Sequence, residues 1–223
     1  MRNQDFSLNL LGSKIKEKWD VQLFATYSST EMGATFSECE YGCGGHVHPE
    51  LIIVEIIGED DQPVKDGEVG EIVVTTLGGE GMPLLRFRTG DMAAKRTEQC
   101  KCGRYSYRLS PLVGRKNNMI KFKGTTLYPP MIIDVLDNRS DISGYQLVLS
   151  LNDLGNDDVT VRIGLPNPDP EKDAALIADL KNTFRAKIRV APNIEIWRAD
   201  QLVREVYVDT SRKPVKVIDK RPK

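Results

Sequence analysis

Cysteine and histidine side chains are crowded into two short stretches of this chain, and their spacing restricts the fold more than any other feature. The six residues, in chain order, are Cys39, Cys43, His46, His48, Cys100 and Cys102. Zn²⁺ in proteins usually takes four thiolate or imidazole ligands in a tetrahedral arrangement. Closely spaced cysteines in a cytosolic chain indicate a metal before disulfides. We therefore expect a closed, structural zinc site joining two loops, with four reduced, unligated cysteines as the alternative.

The charge and hydrophobicity of the chain exclude several classes of function. Its 31 Lys and Arg against 32 Asp and Glu give a net charge of −1, which does not indicate the basic footprint of a nucleic-acid-binding protein. No apolar run approaches the roughly 20 residues of a membrane span. The first residues, MRNQDFSLNLLGSK, lack the apolar core of a secretory signal. We expect a cytoplasmic protein that binds neither nucleic acid nor a membrane.

Short β-branched segments dominate the first half of the chain and predict a small antiparallel β unit. The predicted elements of this half are a helix over 11–19 and strands over 21–29, 51–57, 71–77 and 83–91, the last of them ending in a loop. The 40% of hydrophobic residues is enough to give such a unit a core.

From Gly114 the pattern changes to alternating strands and helices, which predicts a compact second domain. The predicted elements are a hairpin over 114–124, a helix beginning at Pro129, strands over 145–151 and 159–165, an amphipathic helix over 169–188 and a strand over 193–199. We therefore expect an α+β (mixed α/β) fold, with one domain portion over 1–113 and a second domain over 114–223.

Two polar strings that follow predicted strands carry side chains suited to nucleotide chemistry. In YSSTEMG (27–33), the hydroxyls of Ser29 and Thr30 can bond phosphate oxygens and the Glu31 carboxylate can hold Mg²⁺. The alternative for this string is a helix cap. In RFRTGD (86–91), Asp91 can accept hydrogen bonds from a ribose diol, with an ordinary Gly-Asp turn as the alternative.

A third string, GRKNNMIKFKG (114–124), is basic. Arg115, Lys121 and Lys123 occupy alternating positions, which would put their charges on one face of a strand. Such a face suits an anion, and a solvated surface is the alternative.

Together and in this order, these strings resemble the adenylate-forming enzymes, the superfamily of acyl-CoA synthetases, peptide-synthetase adenylation domains and luciferases. The CKCGR segment (100–104), the LYPP segment (127–130) and the VIDKR ending resemble above all the phenylacetate–coenzyme A ligases. The matching strings run from about residue 20 to the C-terminus, so the resemblance covers nearly the whole chain.

The resemblance implies a role for each matching residue of the first part. Tyr27 would lie against the adenine, Ser29 and Thr30 would contact phosphate, and Glu31 would hold Mg²⁺. Asp91 would bind the ribose hydroxyls. Residues 1–113 would be the C-terminal portion of the large adenylation domain.

Residues 114–223 would then be the mobile C-terminal domain. The resemblance places Arg115 near the ribose and phosphates and Asn117 at the hinge about which this domain rotates. Lys123 and Gly124 would lie along the pantetheine path of coenzyme A. Lys213 would contact the carboxylate and the α-phosphate during adenylation.

The resemblance also selects among the metal ligands. Phenylacetate ligases that keep the CxC segment tend to match Cys39 and His46, so the favoured set is Cys39, His46, Cys100 and Cys102, with Cys43 as the substitute.

The function implied is ATP- and Mg²⁺-dependent activation of phenylacetate or a similar aryl carboxylate to its CoA thioester. Relatives are longer and bind the β- and γ-phosphates with a Ser/Thr/Gly-rich loop that does not occur here. We therefore expect the C-terminal half of a ligase, inactive alone, with the missing N-terminal half as its partner and a homodimer left open. The alternatives are an adenylyltransferase of the coenzyme F390 synthetase type and a non-catalytic, zinc-stabilised interaction module.

Overall fold

A computed structural model describes residues 2–211 and 213–222 of the chain. The chain folds into two units, Met1–Asn117 and Asn118–Lys223. None of the helices in the described ranges is both long and apolar enough to cross a membrane.

The first unit is built on antiparallel strands. Its elements are α1 (Leu10–Trp19), β1 (Thr26–Ser29), β2 (Gly33–Glu38), β3 (Gly45–Val47), β4 (Ile52–Ile57), β5 (Val69–Thr76), β6 (Phe87–Arg96), β7 (Arg108–Leu109) and β8 (Gly114–Arg115). The strand order is β1-β2-β3-β7-β6-β5-β4, and β8 pairs with β6. A 3₁₀ turn over Lys116–Asn118 follows β8.

The core of the first unit follows from alternation along the strands. In β4, Ile52, Val54 and Ile56 are buried, whereas Ile53 between them is half exposed. Successive strand side chains point to opposite faces, so this face of β4 packs against the core. In β5 the consecutive residues Ile72, Val73 and Val74 are all buried, so that strand is covered on both faces. The buried apolar residues contributed by the other strands include Phe36, Val47, Ile72, Val74, Ala93 and Leu109.

The second unit combines a four-stranded sheet with three helices. Its elements are β9 (Ile120–Phe122), β10 (Thr125–Leu127), α2 (Pro129–Asp137), β11 (Gly144–Leu151), β12 (Asp157–Leu165), α3 (Pro170–Ile188), β13 (Asn193–Arg198), α4 (Ala199–Val206) and β14 (Val217–Asp219). The sheet order is β13-β12-β11-β14, in which β11 and β12 are antiparallel and the two outer strands join in parallel. The strands β9 and β10 form a separate hairpin.

Helix α3 is well specified by its ends. The side chain of Asp169 caps it by accepting a hydrogen bond from the backbone of Glu171, and Pro170 takes the first helical position. The helix ends at Arg189, whose φ is +68°. Apolar residues recur every four positions along the helix, and three of them, Leu180, Phe184 and Ile188, are buried in the core.

The last residues of the chain are tied to the start of the second unit. Arg221 is largely buried, and its guanidinium donates to the Met119 carbonyl at 2.8 Å and to Asp157 at 3.2 Å. Asp157 also accepts a hydrogen bond from the backbone of Lys121. The terminal strand is therefore held by its pairing with β11 and by the contacts of Arg221 just after it.

The mixed α+β fold class is confirmed, but several local expectations are wrong. The strand expected to end at Asp91 continues to Arg96, because Thr89–Asp91 form a bulge opposite Ile72 and Gly90 has a φ of +74°. The helix-cap alternative for 27–33 is also wrong, since a β-hairpin and not a helix follows Ser29. The sequence interpretation missed α4 and β14, and the expected strand over 21–29 is limited to Thr26–Ser29.

Candidate nucleotide site and metal centre

Asp91 is the point at which three separate sequence strings meet. The hydroxyl of Tyr27 donates to Asp91 Oδ2 at 2.6 Å, and Arg115 Nε donates to Oδ1 at 3.0 Å. Asp91 is 8% exposed, and its backbone N–H donates to Thr89 Oγ1. The β6–β8 register sets Asp91 directly opposite Arg115. One largely buried carboxylate is therefore fixed by a neutral donor on one oxygen and a cation on the other.

Tyr27 is held as a donor by its surroundings. Burial raises the pKa of its phenol well above the usual range, and the hydrogen bond to Asp91 raises it further. The ring stacks on Phe36, with ring centroids 4.9 Å apart and an angle of 22° between the planes. One face of the ring is thus covered by the core of the first unit.

The remaining residues of the YSSTE string form the tip of the β1–β2 hairpin. Ser29 ends β1, and Thr30 and Glu31 lie exposed in the turn. Met32 is buried and anchors the turn, while Gly33 takes a φ of +65°. The turn thus presents the Thr30 hydroxyl and the Glu31 carboxylate at the surface of the hairpin that carries Tyr27.

Lys123 and Gly124 lie in the second unit, at the turn between β9 and β10. Both have positive φ, +49° and +77°. The ammonium of Lys123 lies 4.6 Å from the centroid of the Phe122 ring. The expectation that Arg115, Lys121 and Lys123 share one strand face is wrong, because β8, β9 and the turn after it are three different elements.

Lys213 lies in the exposed loop between α4 and β14. Its backbone N–H donates to Ser211 Oγ at 3.3 Å, and its carbonyl accepts from the same hydroxyl at 2.7 Å. Ser211 therefore fixes the backbone of the loop while the lysine side chain remains exposed.

The metal-binding candidates converge in the first unit. The ligand atoms of Cys39, His46, Cys100 and Cys102 all lie within 4.8 Å of one another. A tetrahedral zinc centre requires sulfur atoms about 3.8 Å apart and a sulfur–nitrogen separation of about 3.6 Å, given its bond lengths. The Cys39 and Cys100 sulfurs are 3.7 Å apart, and Cys102 Sγ lies 3.4 Å from His46 Nε2. The arrangement fits Zn²⁺ in both geometry and donor type.

The surroundings of these four residues favour a cation. Burial raises the pKa of Cys39 to about 11. Burial acts in the same direction on Cys100, but hydrogen bonds from the Cys102 backbone and from neighbouring side chains, His46 among them, lower its pKa to about 6. His46 Nδ1 donates to the Ser106 carbonyl at 3.2 Å, which leaves Nε2 free to bind a metal. A bound Zn²⁺ would hold these sulfur atoms as thiolates and offset their negative charge.

Two candidates lie outside the four-residue group. Cys43 Sγ is 3.7 Å from Cys100 Sγ, but it accepts a hydrogen bond from the buried Arg108 at 2.9 Å. His48 instead approaches Ser37 and Glu50. Cys43 is therefore positioned beside the group, and His48 is turned to other partners.

The sequence interpretation assigned no role to Glu71, which is the first residue of the strand predicted over 71–77. It is 4% exposed and contacts Arg88, Lys116 and the Gly90 backbone. The signal that could have identified Glu71 is its position as an acidic residue at the start of an apolar, β-branched run.

Comparison with known proteins gives matches over both units. A family model of AMP-binding enzyme C-terminal domains matches residues 124–221. A phenylacetate-coenzyme A ligase of Thermus thermophilus is 38% identical over 102 residues, which are 45% of this chain and 23% of that protein. One of Aromatoleum evansii is 27% identical over 184 residues, 80% of this chain and 39% of that protein. The chain therefore spans well under half the length of these relatives.

Solved structures share the fold. A 2-hydroxyisobutyryl-CoA ligase in the postadenylation state, in complex with R3-HIB-AMP, matches with a TM-score of 0.73 and 21% identity, over 93% of this chain and 45% of that one. The O-succinylbenzoate coenzyme A synthetase of Bacillus subtilis, in complex with ATP and magnesium, matches with a TM-score of 0.62 and 16% identity. The match covers 85% of this chain and 41% of that one.

These matches relate residues 124–221 to the C-terminal domains of AMP-binding enzymes. Over 80% of its length the chain is similar to a phenylacetate–coenzyme A ligase.

Proposed function

We propose that this chain is the C-terminal half of a cytoplasmic enzyme that adenylates phenylacetate or a similar aryl carboxylate and transfers the acyl group to coenzyme A. The observation that carries the proposal is the meeting of Tyr27, Asp91 and Arg115 from three strings that are far apart in sequence. The comparisons do not favour an adenylyltransferase of the coenzyme F390 synthetase type or a non-catalytic interaction module.

The geometry at Asp91 suits a ribose. A carboxylate has about four lone-pair positions, and Tyr27 and Arg115 each use one. The other positions can accept both hydroxyls of a ribose diol. Phe36 covers one face of the Tyr27 ring, so the adenine would stack on the other. Arg115, a surface cation on the same carboxylate, would lie near the phosphates.

Charge is the main obstacle in adenylation, because a carboxylate must attack the negatively charged α-phosphate while pyrophosphate leaves. When Mg²⁺ is bound, it offsets part of this repulsion. Glu31 would hold the ion, and the hydroxyl of Thr30 would bond the α-phosphate; the Ser29 hydroxyl is buried and is not placed to do so. The ammonium of Lys213 would contact the charge that develops between carboxylate and phosphate.

The second step would need a different arrangement of the two units. The thiol of coenzyme A attacks the acyl carbon, a thioester forms and AMP leaves. Rotation about Asn117 would withdraw Lys213 and bring the turn of Lys123 and Gly124 to the pantetheine. Both residues have positive φ, which gives a tight turn, and Gly124 has no side chain and open space beside it, so a thin chain could pass there.

We further propose that Cys39, His46, Cys100 and Cys102 hold one structural Zn²⁺. All four ligands come from the protein, so such a site has no open position for substrate. Its role would be to join the loop after β2 to the loop after β6.

Pyrophosphate release from ATP tests the proposed activity. The assay would use a panel of aryl carboxylic acids, with the 223-residue chain alone and with the chain extended by an N-terminal region that restores the length of its relatives. We expect acid-dependent release from the extended enzyme only. Robust release by the chain alone contradicts the half-enzyme proposal. No release with any acid contradicts the ligase, and release without CoA-dependent thioester would favour the adenylyltransferase.

A further inference from the structure

Glu71 connects two parts of the first unit that the proposed reaction uses separately. Its Oε1 accepts a hydrogen bond from the Gly90 backbone at 3.3 Å, next to Asp91. Its Oε2 accepts from Lys116 Nζ at 3.1 Å, next to Asn117. One side chain therefore touches both the ribose-binding bulge of β6 and the 3₁₀ turn that would contain the hinge.

The charges around Glu71 are balanced. Arg88 Nε donates to Oε2 at 2.9 Å, and the same guanidinium pairs with Asp61 at 2.7 Å. Burial acts to raise the pKa of Glu71, but the hydrogen bonds and charges of Arg88 and Lys116 outweigh it and lower the pKa overall. The carboxylate therefore stays ionised at neutral pH and can hold both cations.

The two contacts of Glu71 differ in how easily they break. The Glu71 side chain is 6% exposed, whereas that of Lys116 is 41% exposed. An ion pair with one partially exposed partner is weak enough to open and close in solution. Arg88 would keep Glu71 paired and in place when Lys116 leaves, so the Gly90 contact does not depend on the state of the hinge.

We propose that Glu71 is a positioning residue that holds the Gly90–Asp91 bulge and, through a breakable ion pair with Lys116, restrains the hinge at Asn117. This inference rests on the proposed function, because that function supplies the ribose at Asp91 and the rotation at Asn117. A merely structural glutamate would stabilise the sheet without distinguishing these two segments.

Amide hydrogen exchange, followed residue by residue by NMR on the 223-residue chain, tests the contacts without ATP, acid or coenzyme A. Lys116→Met should speed exchange at 116–118 by about twofold to fivefold, the upper part of the range for an exposed ion pair, and leave Gly90 unchanged. Glu71→Gln should speed exchange in both segments. Lys116→Arg should restore the parent pattern. The matched control is Glu55→Gln, which breaks the Glu55–Arg86 pair of the same sheet and should alter neither segment.

Three outcomes would overturn the inference: equal acceleration throughout the first unit in Glu71→Gln, an unchanged 116–118 segment in Lys116→Met, or an unchanged Gly90 in Glu71→Gln. In the extended enzyme, Lys116→Met should also change the ratio of the two half-reaction rates while the KM for ATP stays constant. An unchanged ratio, together with the expected exchange pattern, would overturn the hinge role alone. Because exchange is measured without turnover, failure of the ligase proposal is distinguishable from failure of the Glu71 contacts.

Discussion

Replacing Cys102 by serine tests the proposed zinc site most directly. Cys102 Sγ lies 3.4 Å from His46 Nε2, within the group of four ligand atoms. Serine is nearly isosteric but is a poor zinc ligand, so the substitution should remove the metal with little change in packing. Untagged protein should contain about one Zn²⁺ per chain by elemental analysis, and Cys102→Ser should contain far less.

The expected loss of stability can be bounded in two ways. Cys39 and Cys100 are 61 residues apart in the chain. If the metal stays on the unfolded chain, a cross-link closing a loop of that length is worth about 4 kcal/mol by the loop-entropy relation. If the metal is released on unfolding, a free concentration one thousand times the Kd contributes about 4.1 kcal/mol. For a unit of this size, either value corresponds to a melting temperature lower by on the order of 10–20 °C.

Circular dichroism melting curves, with and without a chelator, measure that shift. The chelator should lower the Tm of the parent protein to that of Cys102→Ser and should not affect the variant. Cys43→Ser and His48→Ala are the controls, and both should keep zinc and Tm. The reasoning is refuted if the parent protein, expressed in zinc-replete medium, contains almost no metal, or if Cys43→Ser loses as much zinc as Cys102→Ser.

Three further predictions concern the nucleotide site and its supports. In the extended enzyme, Lys213→Ala should slow acyl-adenylate formation by about 10² to 10³ and spare thioester formation from supplied acyl-adenylate, measured as separate half-reactions; equal loss in both would contradict it. Lys220→Ala is the matched control, whereas Lys216 is unsuitable because its ammonium donates to a tyrosine hydroxyl in the second unit. Asp91→Asn should raise the KM for ATP and destabilise the chain by about 1–3 kcal/mol, since two donors lose a charged partner; denaturant unfolding measures the second effect, and an unchanged KM would count against ribose binding. Glu71 has a folded pKa below its ordinary value of 4.5, so its stabilisation is complete above that pH and is lost as the pH falls through the folded pKa. The stability gap between parent and Glu71→Gln should therefore be constant at neutral pH and shrink in acid, and a gap independent of pH would contradict this linkage.

Much of the fold could be predicted because its signals are local. The β-branched run 52–57 and the four-residue repeat of α3 each depend on neighbours in sequence, and both elements form where they were expected. Pro129 begins α2 as predicted. The missed helix α4 is only eight residues long and buries only Leu202 and Val206, so its pattern is too short to stand out.

The candidate site was predictable in composition but not in contacts. The strings identified Tyr27, Asp91 and Arg115 separately, yet their convergence depends on the pairing of β6 with β8, which no local pattern encodes. The bulge at Gly90 turned an expected strand end into the middle of a ten-residue strand. Glu71 was missed for a related reason, because its three partners come from segments 17 to 45 residues away.

The anchoring of the C-terminal strand limits how the length of the loop before it can change during evolution. The loop that carries Lys213 begins at α4 and ends at β14, which pairs with β11 and is followed by Arg221, whose guanidinium donates to the Met119 carbonyl. An inserted residue adds up to about 3.5 Å of chain and would shift Lys213 relative to the two anchored ends. Apart from Lys213 itself, the number of residues in this loop should thus be under stricter selection than their identity.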